Sequence, residues 1–429
     1  MSIELSVMLA LFAILMFSGT PLSFAMLFSS AIYLLLSGQP LYLLAHRMFT
    51  GIDTFTLMAI PFFILAAELM VISGTAERLL KFTNAMVGRF RGGLAYVNVL
   101  ASMLFGGCSG SAIADVAGLG ILEIDMMEKG GYDRPFSTAL TISSSIQGPL
   151  IPPSIMMVLI GATTGTSIGA LLIGAAIPGI LVGLAQITVI FFMGKIKGFP
   201  VSNIKLSSRE KFKSFMIAIP FLLMPLIIIG GILGGLVTPT EASAVAVAYG
   251  LILVIVYGRK TVSFRDMWKL LYNTVIVAAS ILLLSGASNI FGWILSTEQV
   301  PNMISKALLS LSDNKNIILM IITVFLLIWG MLMDSLPAIL ILSPILFPIA
   351  MKIGIEPIHF GVLFGFNLIV GLITPPYGAA LFTGTIISGL PMEKLTKAMT
   401  PFILASIGIL LLITYVPSVV MFLPRLLGL

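Results

Sequence analysis

The chain has 429 residues, of which 59% are hydrophobic and 9% are charged, with a formal net charge of +6 at pH 7. Ordinary soluble domains are about 25% charged, and a chain of this length needs that charge to cover its surface. The composition therefore excludes a soluble globular protein and favours a polytopic protein in contact with the lipid bilayer. The apolar runs exceed the roughly 9–11 residues of an outer-membrane strand, so we expect helical spans and an all-α fold.

Ten apolar segments approach the roughly 20 residues that one bilayer crossing requires. In chain order, the expected crossings are 3–18, 22–38, 54–74, 135–162, 166–193, 214–236, 240–257, 270–292, 356–388 and 399–424. No Lys or Arg precedes Arg47, so the first segment is expected to be a retained helix rather than a signal peptide. Two further segments, 96–124 and 317–352, carry a polar or Gly-rich break and are expected to be re-entrant helical hairpins.

The positions of Lys and Arg predict the orientation of these segments. If 194–213 is cytoplasmic, then 75–95, 125–134, 258–269 and 389–398 lie on the same side, and these five loops hold 18 of the 23 basic residues. Both termini are then expected in the periplasm. Residues 75–95 and 293–316 are amphipathic and are expected to form interfacial arm helices beside the hairpins.

Redox chemistry, metal centres and nucleic-acid binding are not indicated. The single cysteine, Cys108, cannot form an internal disulfide, and two histidines leave too few soft ligands for a zinc or haem site. The basic residues occur in short clusters between apolar runs, as topology signals do. We therefore expect no organic cofactor, no nucleic-acid partner and no enzymatic activity.

The sequence contains an internal repeat. Gly-x-x-x-Pro-Pro occurs at 148–153 and again at 371–376, 223 residues later, and the same offset relates Gly107 to Gly330 and Ser111 to Asp334. Each copy contains five expected crossings and one hairpin. Because five is odd, the second copy must be inverted relative to the first. Inverted repeats are typical of secondary transporters that bind substrate at the membrane midplane.

The broken helices predict the kind of ligand. The Pro-Pro pairs remove backbone donors, so helical hydrogen bonding lapses and carbonyl groups are freed. Carbonyls facing the hydroxyls of a hairpin tip form an oxygen cage suited to Na⁺, and half-helix N-termini favour an anionic group. The first expected Na⁺ site comprises Ser109, Gly110, Ser111, Gly148, Ile151 and Pro152; the second comprises Gly330, Asp334, Gly371, Thr374 and Pro375; an organic anion is expected near Ser111, Asp334, Ser335, Pro153 and Pro376.

Several of these side chains have a plainer explanation. Ser109 and Ser111 are also small residues that allow close helix packing. Asp115, whose repeat counterpart is Ala338, is either functional or only braces the hairpin by hydrogen bonding. Glu68 is either a hydrogen-bonding residue between helices or part of a contact with a partner subunit, and the sequence leaves both open.

The segment between the second and third crossings contains three polar residues that are candidates for binding a partner. His46, Arg47 and Asp53 fall in an expected outer loop. Such a loop can be a docking point for a partner protein outside the membrane, although a solvated loop is the commoner explanation for three polar residues.

Four motifs resemble the large membrane subunit of tripartite ATP-independent periplasmic (TRAP) transporters. They are FGGCSGSAIAD at 105–115, SIQGPLIPPS at 145–154, GMLMD at 330–334 and GLITPPYG at 371–378. The resemblance implies a Na⁺-driven importer of organic anions, such as C4-dicarboxylates, sialic acid or sugar acids, in the bacterial inner membrane. It also implies an elevator mechanism, a separate small four-helix membrane subunit and a periplasmic solute-binding protein.

The resemblance further implies a division into scaffold and transport domains. Scaffold helices are expected at 1–74 and 214–292, arm helices at 75–95 and 293–316, a cytoplasmic loop at 194–213, and the two halves of the transport domain at 96–193 and 317–429. The resemblance places the fold in the broader, elevator-type ion-transporter superfamily that includes Na⁺-coupled dicarboxylate carriers. One alternative is a stand-alone Na⁺ or H⁺ antiporter or carrier of that superfamily. An intramembrane hydrolase is another, although the sequence lacks a Gly-x-Gly-Asp signature.

Overall fold

The structure is a computed structural model that describes residues 2–201, 207–258, 262–312 and 314–429. Over these residues the chain forms twenty α-helices joined by short turns, and its only β-type pairing is one isolated bridge between Arg91 and Val201. This confirms the all-α prediction. Residues 202–206 and 259–261, which belong to the expected cytoplasmic loops, lie outside the described residues.

The first repeat contains ten α-helices. They are α1 (Ile3–Phe17), α2 (Leu22–Leu36), α3 (Tyr42–Ile52), α4 (Ala59–Ile72), α5 (Thr75–Val87), α6 (Gly93–Ser109), α7 (Ala112–Lys129), α8 (Arg134–Ser145), α9 (Ile155–Thr164) and α10 (Ile168–Lys197). A 3₁₀ turn, Phe55–Met58, leads into α4. Helices α6 and α7 form the first hairpin, and α8 and α9 are the two arms of the first broken helix.

The second repeat contains the other ten. They are α11 (Ser208–Leu233), α12 (Pro239–Leu253), α13 (Phe264–Thr297), α14 (Val300–Leu311), α15 (Lys315–Leu332), α16 (Ser335–Lys352), α17 (Pro357–Leu372), α18 (Ala379–Ser388), α19 (Met392–Tyr415) and α20 (Pro417–Leu426). A π-helical turn, Val254–Gly258, continues α12. Helices α15 and α16 form the second hairpin, and α17 and α18 are the arms of the second broken helix.

The two repeats follow the same backbone plan. Helices α7 and α16 begin 223 residues apart, at Ala112 and Ser335, and α8 and α17 begin at the same separation. Each hairpin turns at a residue that caps the following helix with its own side chain: Ser111 in the first and Asp334 in the second. The offset read from the sequence is therefore also the structural offset of the hairpins.

Eight of the described helical segments are long and apolar enough to cross a membrane, by length and composition only. The arms of the broken helices are shorter, because helical hydrogen bonding lapses over 146–154 and 373–378. Each break contains a cis Pro-Pro bond, Pro152-Pro153 in the first and Pro375-Pro376 in the second. The breaks divide the segment expected at 135–162 into α8 and α9, and the segment expected at 356–388 into α17 and α18.

The expectations differ from the structure at α3, at the second arm helix and at the last crossing, where α19 ends at Tyr415 and α20 begins at Pro417 within the expected 399–424. The segment with His46, Arg47 and Asp53 was expected to be a loop, but its first two residues belong to α3 and Asp53 ends that helix. The reason is that α3 is amphipathic and packs against α13, where Gly286 allows close approach. The Arg47 guanidinium lies over the Trp293 ring, 4.9 Å from its centroid.

The second difference concerns the second arm helix. It was expected over 293–316, but α13 continues to Thr297 and α14 begins only at Val300. Gln299 between them has a φ of 58°, a left-handed conformation that ends the long helix. The expected range therefore combined the end of a long helix with the following amphipathic one.

Candidate transport site

A cavity of about 430 Å³ lies where the two hairpins meet α4 and α13. Its volume falls within the range typical of small-molecule sites. The first hairpin contributes Ser109, Gly110, Ser111 and Ala112–Ala114; the second contributes Asp334, Ser335 and Leu336; α4 contributes Ile64, Ala67 and Glu68; and α13 contributes Val277 and Ile281. Pro149 of the first break, Ile155 and Met156 of α9 and Leu372 of α17 also line it, so the cavity joins the tips of both repeats to α4, α13 and the broken helices.

The first tip is built by two caps. Gly110, with φ +63°, ends α6 and donates its N–H to the Gly106 carbonyl at 2.9 Å. Ser111 begins α7, and its hydroxyl oxygen accepts the Ala114 N–H at 3.4 Å. The remaining first-turn N–H groups of α7 have no helical acceptor, as at any helix start. A polar, electropositive helix end thus lines the cavity.

Asp115 joins the two helices of this hairpin. Its Oδ1 accepts a hydrogen bond from the Ser109 hydroxyl, and the residue is only 2% exposed. Its other oxygen, Oδ2, has no hydrogen-bond partner among the described residues and faces Gly148 of the first break. Asp115 thus makes the bracing contact, and it also presents a free oxygen to the broken helix.

The first tip packs directly on the first break. A Cβ added to Gly106 would lie 2.5 Å from the Gly148 Cα, so only two glycines permit this approach. A Cβ on Gly107 would lie 3.4 Å from the Pro152 carbonyl oxygen, and one on Gly110 would lie 3.1 Å from that of Pro153. Carbonyl oxygens of the break therefore reach the tip.

The second tip has a similar arrangement. Asp334 Oδ1 accepts the Ser335 N–H at 2.6 Å and the Ser335 hydroxyl at 3.2 Å. A Cβ on Gly371 would overlap the backbone of Gly330. The Gly378 N–H donates to the Met331 carbonyl at 3.2 Å and so ties the end of the break to the hairpin.

The predicted site residues divide into two groups. Those of the tips, Ser109, Gly110, Ser111, Asp334 and Ser335, line the cavity. The others are absent from the described cavity wall: Gly330, in α15, packs against Gly371, and the residues of the breaks lie behind the tips; they are Gly148, Ile151, Pro152, Pro153, Gly371, Thr374, Pro375 and Pro376. The Thr374 hydroxyl donates to the Val370 carbonyl at 2.7 Å, and among the described residues no hydrogen bond connects it to Asp334.

Sequence reasoning missed a buried polar network behind the first tip. Glu123 is fully buried; its Oε1 accepts from the Ser102 hydroxyl at 3.1 Å, and its Oε2 has no hydrogen-bond partner in the described chain. Ser144 and Ser102 share a hydrogen bond of 3.0 Å, and Ser144 donates to Asn98 at 2.9 Å. The available signal was helical spacing, since Glu123 follows Asp115 by eight residues on one face of α7.

The ionisable side chains in the described part of the cavity lining are carboxyl groups only. Glu68 and Asp334 are the charged residues among those described in its lining, which contains no Lys, Arg or His. Within the described ranges, no three His, Cys, Asp or Glu side chains cluster as they would around a transition metal. The tips and breaks instead present carbonyl, hydroxyl and carboxyl oxygens at and beside the cavity.

Comparison with known proteins identifies the family. The family described as "Tripartite ATP-independent periplasmic transporter, DctM component" matches residues 9–419. The sialic acid TRAP transporter large permease SiaM of Vibrio cholerae is 40% identical over 414 residues, which are 96% of each chain. The C4-dicarboxylate TRAP transporter large permease DctM of Pseudomonas aeruginosa is 38% identical, over 92% of each chain.

A solved structure shares the fold. The crystal structure of the Alcanivorax borkumensis YdaH transporter superposes with a TM-score of 0.58 over 86% of each chain, at 17% sequence identity. The family match over nearly the whole sequence confirms the resemblance read from the four motifs. The chain therefore belongs to the DctM family, the large permease subunits of TRAP transporters, and is a multi-pass membrane protein.

Proposed function

We propose that this permease couples Na⁺ entry to the import of an organic anion across the bacterial inner membrane. The anion is delivered by a periplasmic solute-binding protein, and the chain works with a small four-helix membrane subunit, with both of its termini in the periplasm. The observation that supports this proposal is the shared cavity: each hairpin tip contacts its own broken helix, and both tips line one cavity.

The charge of the cavity supports coupling to a cation. An organic anion that enters a cavity containing Glu68 and Asp334 meets two carboxylates and no basic side chain among the described lining residues. Na⁺ held between each tip and its break offsets this repulsion and adds positive charge beside the α7 N-terminus. The anion then binds more tightly with Na⁺ than without it, and by linkage the anion also tightens Na⁺ binding.

An elevator motion fits the packing around the cavity. The surfaces that α4 and α13 present there are mainly apolar, with Ile64 and Ala67 from α4 and Val277 and Ile281 from α13. Apart from Glu68, this surface can slide past the hairpins without leaving hydrogen bonds unpaired. In the proposed cycle, the hairpins and broken helices move together with the bound ions and anion, while α4 and α13 stay in place.

The Na⁺ proposal is tested by thermal unfolding of the purified protein in detergent. NaCl is titrated against KCl and choline chloride at constant ionic strength, and we expect Na⁺ alone to stabilise. A ligand at one hundred times its Kd adds about 2.7 kcal/mol to the free energy of unfolding. Ser111→Ala at the first tip and Thr374→Ala at the second break should each shift the Na⁺ titration to higher concentration.

Ser167→Ala is the matched control for Ser111→Ala. Ser167 also caps a helix, accepting the Ala170 N–H at 3.3 Å, but it lies outside the cavity. It should lower the basal melting temperature slightly and leave the Na⁺ titration unchanged. Equal stabilisation by all three salts, or unchanged Na⁺ affinity in both site variants, would contradict the proposal.

A further inference from the structure

Glu68 occupies a position in the cavity that the ion sites do not explain. It is the one charged residue that α4 and α13 contribute to the described lining, and its side chain accepts no hydrogen bond from the described residues. Its α4 neighbours in the wall, Ile64 and Ala67, are apolar. A carboxylate at membrane depth is costly unless it has a partner, and the described residues supply none.

Asp334, the other carboxylate of the cavity, already accepts hydrogen bonds within its own hairpin. Its Oδ1 accepts both the N–H and the hydroxyl of Ser335 and begins α16, so it has a structural use in the tip. Glu68 has no such use. Both of its oxygens remain available to hydrogen-bond donors that enter the cavity.

A different wall of the cavity suits an anionic group. Ala112 and Ile113, in the first turn of α7, line it, and the Ser111 side chain caps only the Ala114 N–H. First-turn amides and the helix dipole together favour a carboxylate at this position. A bound organic acid therefore places its carboxylate at the α7 N-terminus and extends its body towards the α4 wall.

The body of the substrate must then donate hydrogen bonds to the Glu68 carboxylate. A carboxylate only accepts hydrogen bonds, so it pairs with hydroxyl, amide or amine donors. A second carboxylate on the substrate would meet a like charge in a partly desolvated cavity, where such repulsion is stronger than in water. We propose that Glu68 selects monocarboxylates that carry hydroxyl or amide donors and rejects dicarboxylates; this rests on the proposed function, because it assumes that the cavity binds the transported anion.

Direct binding to the purified full-length chain with its small membrane subunit tests this selection without the solute-binding protein. In saturating Na⁺, calorimetry would compare two hydroxylated monocarboxylates, N-acetylneuraminate and D-gluconate, with two dicarboxylates, succinate and fumarate. We expect the better monocarboxylate to bind the unsubstituted protein at least tenfold more tightly than either dicarboxylate.

Two substitutions separate charge from hydrogen bonding. Glu68→Gln keeps the shape and one acceptor but removes the charge, so we expect the tenfold preference to fall below threefold, mainly through tighter dicarboxylate binding. Glu68→Ala should weaken monocarboxylate binding about tenfold. The control is Glu77→Gln on the exposed side of α5, outside the cavity, which should leave all four affinities unchanged.

The outcomes distinguish this inference from the proposed function. Tighter binding of a dicarboxylate to the unsubstituted protein, or an unchanged preference in Glu68→Gln, would overturn the role of Glu68 while leaving Na⁺-dependent anion binding intact. If none of the four acids binds in Na⁺, both the inference and the proposed anion site fail.

Discussion

The two hairpins have the same backbone plan but differ in the chemistry of their cores. In the first, α7 buries Asp115 and Glu123, whereas the residues 223 positions later in α16 are Ala338 and Leu346. Both hairpins nevertheless begin their second helix with a side-chain cap, and both press a glycine against the following broken helix. The shared features lie at the turns, and the differences lie in the core.

The residues around these positions of the two hairpins differ in polarity in the same way. In the first repeat, Asn98, Ser102, Thr141 and Ser144 form a hydrogen-bonded network; at the same offset, the second has Ile321, Phe325, Phe364 and Asn367. Phe364 packs there with Phe347 and Phe360, and its ring centroid is 5.9 Å and 6.0 Å from theirs. The same backbone plan thus forms with mainly apolar residues at these positions, so the plan itself does not require the polar network.

The largest expected effect comes from transferring the buried carboxyl to the second hairpin. Leu346→Glu places it at a 5%-exposed position in an apolar core, beside Phe347. Without hydrogen-bond partners it should cost at least about 3 kcal/mol of stability, measured as a fall in the melting temperature in detergent. Glu123→Gln is the control, because the amide oxygen still accepts from Ser102, and it should cost under about 1 kcal/mol. Equal melting temperatures for Leu346→Glu and Glu123→Gln would contradict the difference in polarity between the two cores.

Closing the glycine contacts should have the next largest effect. Gly106→Ala and Gly371→Ala each place a methyl group against the backbone of the opposing segment, which cannot move aside as a side chain can. Each substitution should cost about 1–3 kcal/mol in the same unfolding assay. Gly118→Ala is the control, since its Cβ would meet nothing within 4 Å and alanine favours the helix. Loss of stability in Gly118→Ala as large as in the other two would contradict this explanation.

A smaller effect is expected at the end of the first break. The Ser154 hydroxyl donates to the Pro149 carbonyl at 2.5 Å and accepts the Met157 N–H at 3.2 Å. Ser154→Ala removes both contacts and should cost about 1 kcal/mol, while Ser154→Thr, which keeps the hydroxyl, should restore most of it. The second break is tied by the Gly378 backbone instead. If Ser154→Ala has the same melting temperature as the unsubstituted protein, the Ser154 side chain does not stabilise the break.

Much of the framework could be predicted because it depends on local sequence. The breaks follow from Gly-x-x-x-Pro-Pro, and the first turn follows from Gly110 and Ser111, which end one helix and cap the next. The α3 helix was predicted wrongly as a loop, because its eleven residues are too few for a crossing and its helical packing depends on distant α13. Glu68 and Glu123 were not assigned either, since their surroundings come from other helices.

The sequence by itself determined the membrane class, the repeat, the hairpins and the broken helices. These properties arise from composition, from the spacing of short motifs, including the 223-residue repeat, and from the local effects of glycine and proline on the backbone, none of which depends on how the helices pack. Only the tertiary structure decided that both tips share one cavity, that Asp115 faces Gly148, and that Glu68 lines the cavity with no hydrogen-bond partner among the described residues. Those contacts join helices far apart in the chain, and their positions depend on how whole helices pack.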